Sequence, residues 1–137
     1  MAEAFEDAAF RHWKDAEFCK SDGRHPNADQ LYGFAAECAF KSVPVKIPVC
    51  LTDEALQEKY KKHIDELWDV TPVQSVRESA SALAALLHMS PSPFEDWRAA
   101  QRYESGEAIT LAVVEKHRKA ASKVLGAVGL PGARGGA

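Results

Sequence analysis

Cysteine is scarce in this chain: Cys19, Cys38 and Cys50 are the three among 137 residues, and their spacing is irregular. That excludes a disulfide framework, and with no Cys-x-x-Cys pair a cysteine zinc site is excluded too. Cys19 and Cys38 fall at apolar helical positions, where a reduced thiol serves as a small hydrophobe. Long apolar runs are also missing. None approaches the ~18 residues of a membrane span, and the acidic opening Met-Ala-Glu-Ala-Phe-Glu-Asp is unlike a secretory leader. A cytoplasmic protein without membrane contact is expected. A net charge of −3 excludes coating of nucleic acid by bulk electrostatics and leaves room only for a local basic patch.

Several catalytic patterns are absent as well. None of His12, His25, His63, His88 and His117 follows a glutamate by three residues, and no His-x-x-x-His pair occurs, so the di-iron and zinc helix patterns are missing. Glycine clusters only near the carboxyl end, without a Gly-Lys-Ser or Gly-Lys-Thr, and there is no Gly-x-Ser-x-Gly elbow. No metal and no cofactor are expected.

What is present is helical periodicity. An apolar share of 46% over this length suits one compact domain, placed at residues 1–125, followed by a glycine-rich flexible tail at 126–137. Phe5, Ala9, Trp13, Ala16 and Cys19 predict a first helix over 3–20, with Phe10 and Phe18 on its far side. Ser21-Asp22-Gly23 ends it. Pro26 opens a second helix that runs to about Val43, and the proline-rich stretch after it is an extended connection. Thr52 reads as the cap of a third helix reaching Trp68, its buried side marked by Leu56, Tyr60, Ile64 and Leu67. Val73, Val76, Ala80, Leu83 and Leu87 mark a fourth, ending near Met89. Ser92 and Glu95 form a capping box for a short helix from Phe94 to Tyr103, and a last helix spans Glu107 to Leu125. The expected fold class is all-α: an antiparallel bundle of four long helices plus a short one.

The stretch Asn27–Lys41 is the most informative. Leu31, Phe34, Ala35, Cys38 and Ser42 share one side of its helical wheel, and Gly33, Ala36 and Phe40 lie nearly opposite. A helix apolar on two sides belongs at the centre of a fold. Glu37 and Lys41 interrupt that surface one turn apart, and a carboxylate withdrawn from water needs a cation or a shifted pKa. Lys41, Arg11 and Arg102 are the candidate cations. A polar knot that fixes helix register is the structural alternative. His12 and His117 lie on apolar faces and read as hydrogen-bonded core histidines, neutral when buried.

On Asp15-Ala16-Glu17, on Gly23-Arg24 leading to Asn27-Ala28-Asp29, and above all on Gly33-Phe34-Ala35-Ala36-Glu37-Cys38-Ala39-Phe40-Lys41, the chain resembles the HEPN domains, small helical bundles of prokaryotic defence and toxin–antitoxin systems. His63-Ile-Asp-Glu-Leu-Trp68 and Trp97…Arg102-Tyr103 add to the likeness, which covers about residues 8 to 125. Ribonuclease members carry an arginine, four to six residues, then a histidine. No histidine stands at that distance from Arg11, Arg24, Arg77, Arg98, Arg102 or Arg118. The resemblance thus implies a non-catalytic or divergent member that binds nucleotide, RNA or a protein partner such as an antitoxin, as a homodimer. Arg11, Asp15, Asn27, Asp29, Lys41 and Tyr103 are its candidate binding residues. The alternatives are a divergent metal-independent ribonuclease using Glu37, His63 and Arg102, or a purely structural interaction module.

Overall fold

The computed structural model describes residues 4–44, 52–70, 80–88, 92–103 and 105–130, excepting the side chains of Leu56, Lys59, Val70, Arg102, Tyr103 and Ala108. Among these residues the regular structure is helical throughout, with no strand. Helix α1, Phe5–Ser21, buries Ala9, Trp13 and Ala16, three of the five positions its periodicity marks. Gly23 then adopts φ +75°, and the amide of Arg24 returns to the carbonyl of Cys19 at 2.8 Å. A left-handed residue there lets the chain reverse while the last carbonyls of the helix stay bonded.

Helix α2, His25–Lys41, starts with a proline in its first turn and buries ten of its residues, including Ala28, Tyr32, Ala35 and Ala39 as well as Gly33, Ala36 and Phe40. It packs against α1, against α4 (Ile64–Val70), against the 3₁₀ turn Ala99–Tyr103 and against α6 (Leu111–Ala127). Helix α2 is therefore the centre of the fold, but of the side expected at Leu31, Phe34, Ala35, Cys38 and Ser42 only Ala35 and Ser42 are buried, while Leu31, Phe34 and Cys38 are half-buried. Glu17 and Trp13 of α1 meet Tyr32, and His12 meets Phe34, so α1 and α2 run antiparallel.

The third helix departs from expectation. It is split into α3, Glu54–Lys59, and α4, with a turn at 60–63 between them. Asp53 Oδ1 accepts the Ala55 amide at 2.9 Å, one residue beyond the cap expected at Thr52. Tyr60, Ile64 and Leu67 are buried as their spacing implies, and Trp68, expected only to close the helix, is buried with them. The fourth segment is described only from Ala80, and contains α5, Ser81–Leu86, with Leu83 in the core. Val73, Val76 and Met89, the connection 45–51 with Cys50, and residues 131–137 lie outside the described residues.

The segment after Ser92 is also less regular than expected. Ser92 Oγ accepts the Phe94 amide at 3.1 Å, but it caps a turn at 93–96, and a 3₁₀ turn follows at Ala99–Tyr103. Docking of Phe94 and Trp97, both fully buried, sets this path. The Trp97 indole lies on α2 at Gly33, where an added Cβ would come within 2.0 Å of Cε2, and its Nε1 donates to the carbonyl of Asp29 at 3.0 Å. Only a residue without a side chain admits so close an approach.

The last helix begins later than expected, because Thr110 Oγ1 accepts the Val113 amide at 3.3 Å and acts as its N-cap. It also ends later. Gly126 stays helical, Gly129 turns at φ +78°, and the amide of Leu130 reaches the carbonyl of Leu125 at 3.0 Å. Leu130 is buried beneath this cap, the apolar contact that accompanies a Schellman ending. The boundary expected at Leu125 thus lies inside a helix.

Candidate functional site

Glu37 sits on the fourth turn of α2 with its side chain only 9% exposed. Its two oxygens are shared among three donors. Oε1 accepts from His63 Nδ1 at 3.0 Å and from the Ile64 amide at 3.1 Å, and Oε2 accepts from Lys41 Nζ at 3.2 Å. In a continuous helix the Ile64 amide would bond to the carbonyl of Tyr60. Here a carboxylate from α2 takes it instead, which starts α4 at Ile64 and leaves His63 just outside the helix. The Glu37–Lys41 pair read from the sequence is present, and a second partner, His63, is added to it.

The geometry restricts the protonation of His63. A carboxylate only accepts, so Nδ1 carries a hydrogen and Nε2 is the atom free to take up or release a proton. The side chain is 51% exposed, so solvent and solutes reach it. Phe34 lies edge-on to the ring, with centroids 6.1 Å apart at 69°, and is itself held edge-on by Trp97 at 5.4 Å. His12 of α1 approaches the same Phe34 at 6.0 Å. Burial and the neighbouring Arg11 lower the pKa of His12, against the opposing pull of Asp15 and Glu37.

The expected site residues are distributed unevenly. Glu37 and His63 are in contact, and Lys41 joins them. Arg102 contributes its backbone to the 3₁₀ turn beside α2; its side chain and that of Tyr103 are outside the described residues. Arg11 and Asp15 are exposed on α1, and Asn27 is exposed in the first turn of α2. Asn27 precedes Glu37 by ten residues, roughly 15 Å along the helix at 1.5 Å per residue, so it stands apart from the dyad. Asp29 requires a correction: it is fully buried, and its oxygens are taken by His117 Nδ1 at 2.6 Å and Gln101 Nε2 at 2.8 Å. It anchors the core and presents nothing to a ligand.

His117 is the second correction. It is buried, as its place on an apolar face implied, but it bridges two carboxylates: Nδ1 lies 2.6 Å from Asp29 Oδ1 and Nε2 lies 2.7 Å from Asp96 Oδ1. Burial opposes a charge there, yet the hydrogen bonds and charges of Asp29 and Asp96 outweigh it and raise the pKa. The ring is held as an imidazolium with Phe94 stacked on it at 5.6 Å. Lys116 Nζ bonds the remaining oxygen of Asp96 at 2.8 Å. A third polar cluster joins α1, α2 and α6: Tyr32 Oη donates to Glu17, and Arg118 Nε and Nη2 reach the same carboxylate at 2.6 and 3.2 Å while the guanidinium lies over Trp13. Burial comes first among the causes that raise the pKa of Tyr32, with the Glu17 carboxylate next.

A sequence signal for the Asp29–His117 cluster was available. Asp29 and His117 are polar residues in apolar stripes, but their pairing depends on how α2, α6 and the 92–103 segment dock. Among the described residues no group of three or more His, Cys, Asp or Glu side chains is placed to hold a metal ion, and no helix is long and apolar enough to cross a membrane. No protein-family model, curated protein or solved structure matches this chain.

Proposed function

We propose that this is a divergent HEPN-like protein that engages RNA at the corner of α2 and α4, with His63 as its working side chain. The observation that carries the reading is the buried Glu37 carboxylate holding Nδ1 of a half-exposed imidazole. A ring fixed through Nδ1 suits proton transfer through Nε2 as a ribose 2′-hydroxyl attacks the adjacent phosphate, chemistry that cleaves RNA without a metal ion. Arg11, exposed on α1 next in sequence to His12, supplies positive charge for a phosphate backbone. Glu37 and Lys41 fall within the α2 stretch on which the HEPN resemblance rests, and Arg102, in the neighbouring turn, is the candidate for stabilising charge on the scissile phosphate. The biological setting that goes with this reading is a defence or toxin–antitoxin module, with an antitoxin-like partner and a homodimer formed through the face of α1 that carries Phe18.

The test is incubation of the full chain with labelled single-stranded RNA in a chelating buffer, following binding and cleavage together. Wild-type cleavage is expected, reduced roughly 10²–10⁴-fold in His63→Ala, the usual worth of a general acid or base. The melting temperature of that variant should stay close to wild type because the ring is half in water. Absence of both binding and cleavage by the wild-type protein overturns the proposal. A binding-only role is the second reading, favoured by the commitment of Glu37 to the Ile64 amide and Lys41. It predicts RNA binding without cleavage, unchanged in His63→Ala, with Glu37→Gln acting only on stability.

A further inference from the structure

We propose that His12 is the second proton-handling group of this site, working with His63 on the same RNA phosphodiester. The inference rests on the RNA-directed reading and adds to it a residue from α1. His12 and His63 come from separate elements, yet both rings contact Phe34, at 6.0 and 6.1 Å. Trp97 holds Phe34 from a third direction. Two parts of the chain thus bring imidazoles to one aromatic side chain, which a third part holds through Trp97.

The two rings differ in what surrounds them. His63 is tied through Nδ1 to Glu37. His12 is half-buried and faces Arg11 and Asp15 from its own helix and Glu37 from α2; burial and Arg11 dominate and lower its pKa. The neutral form of the His12 ring, favoured by that lowering, is the one able to accept a proton, and His63, held through Nδ1, is placed to give one from Nε2. The step is balanced without a co-reactant. The ribose 2′-hydroxyl loses its proton to His12, its oxygen forms a bond to phosphorus, and the bond from phosphorus to the 5′-oxygen breaks. The departing 5′-oxygen takes a proton from His63 Nε2, leaving a 2′,3′-cyclic phosphate and a 5′-hydroxyl end.

The experiment follows the histidine ring resonances of the full-length protein by NMR during titration with uridine 3′-monophosphate, and measures the pH profile of RNA cleavage for wild type, His12→Ala and His12→Phe. The phenylalanine variant keeps a ring against Phe34 in case the alanine variant fails to fold. Resonances of His12 and His63 are expected to move with one shared Kd while the buried His117 stays still. Both variants should lose cleavage by at least about 10²-fold, the low end for a general base, and lose one limb of a bell-shaped profile. If His63 moves and His12 does not, or if the variants cleave with the wild-type profile, the role of His12 is overturned while the His63 reading stands. If neither ring moves and wild type cleaves nothing, both fall together.

Discussion

His12 and His117 are both helical histidines from apolar stripes, and the structure sends their proton affinities in opposite directions. For His117, burial would expel the proton, but Asp29 and Asp96 retain it, so its pKa lies above the ordinary 6.5. A raised pKa means that the folded protein keeps a proton the unfolded chain releases. The stabilisation is complete below 6.5 and is lost as pH rises through the raised value. Asp96 has the complementary sign: burial works against its charge, but Lys116 and His117 hold its carboxyl below the ordinary 3.8, so its contribution is present above 3.8 and disappears in stronger acid. His12, with a lowered pKa, favours the unfolded state when pH falls below 6.5 towards that lowered value. We expect Tm to decline as pH is raised above 6.5 and the decline to flatten in His117→Gln, read by thermal melts across pH. That variant should also cost about 3–5 kcal/mol, as one partner of a buried ion pair is removed. A slope unchanged from wild type would mean that another group titrates.

Among the elements, α2 carries the heaviest constraints, and Gly33 shows why. Its conformation is ordinarily helical, so the position is set by volume: Trp97 occupies the space in which a methyl group would stand. Gly33→Ala should therefore destabilise in spite of alanine's better helix propensity, by roughly 1–3 kcal/mol as for other overpacked cores, measured by chemical denaturation. Stability equal to or above wild type would show that the indole moves aside cheaply. The break between α3 and α4 has a comparable tertiary origin. Nothing at 52–68 resembles a helix terminator, since the run lacks glycine and proline, but Glu37 captures the Ile64 amide. Glu37→Gln keeps one acceptor oxygen for the two Oε1 donors and gives up the Lys41 ion pair. A modest loss of stability is expected, on the order of 1 kcal/mol, and Glu37→Ala should cost more because it strands the buried Ile64 amide.

At the scale of the molecule, three seventeen-residue helices, α1, α2 and α6, are tied by the Glu17, Tyr32 and Arg118 cluster and by the Lys20–Glu115 bridge at 2.8 Å. The face of α1 turned away from them carries Phe18, 67% exposed, and Phe10, which is partly covered by Lys14 at 5.2 Å. For the proposed homodimer, sedimentation velocity should show a dimer for the full chain and a monomer for Phe18→Glu, with Tm little changed because the side chain already lies in water. A wild-type protein that sediments as a monomer at every accessible concentration would remove the dimer and leave the α2–α4 site untouched.

The sequence by itself determined the helical class, the central place of α2 and the anomaly of a carboxylate at Glu37, because each follows from a repeat of 3.6 residues or from the cost of burying charge. It also contained the turn at Gly23 and the burial of His117 on its helical face, whereas His12, expected in the core as well, is only half-buried. Only the tertiary structure decided which partners those polar groups meet. Glu37 reaches Ile64 across 27 positions and Asp29 reaches His117 across 88, and such pairings depend on how helices dock, information that no local spacing carries. The same docking split the third helix, moved the start of the last one to Thr110, and carried its end past Gly126 to the Gly129 turn. Local periodicity places a side chain on a face, and packing selects what it touches.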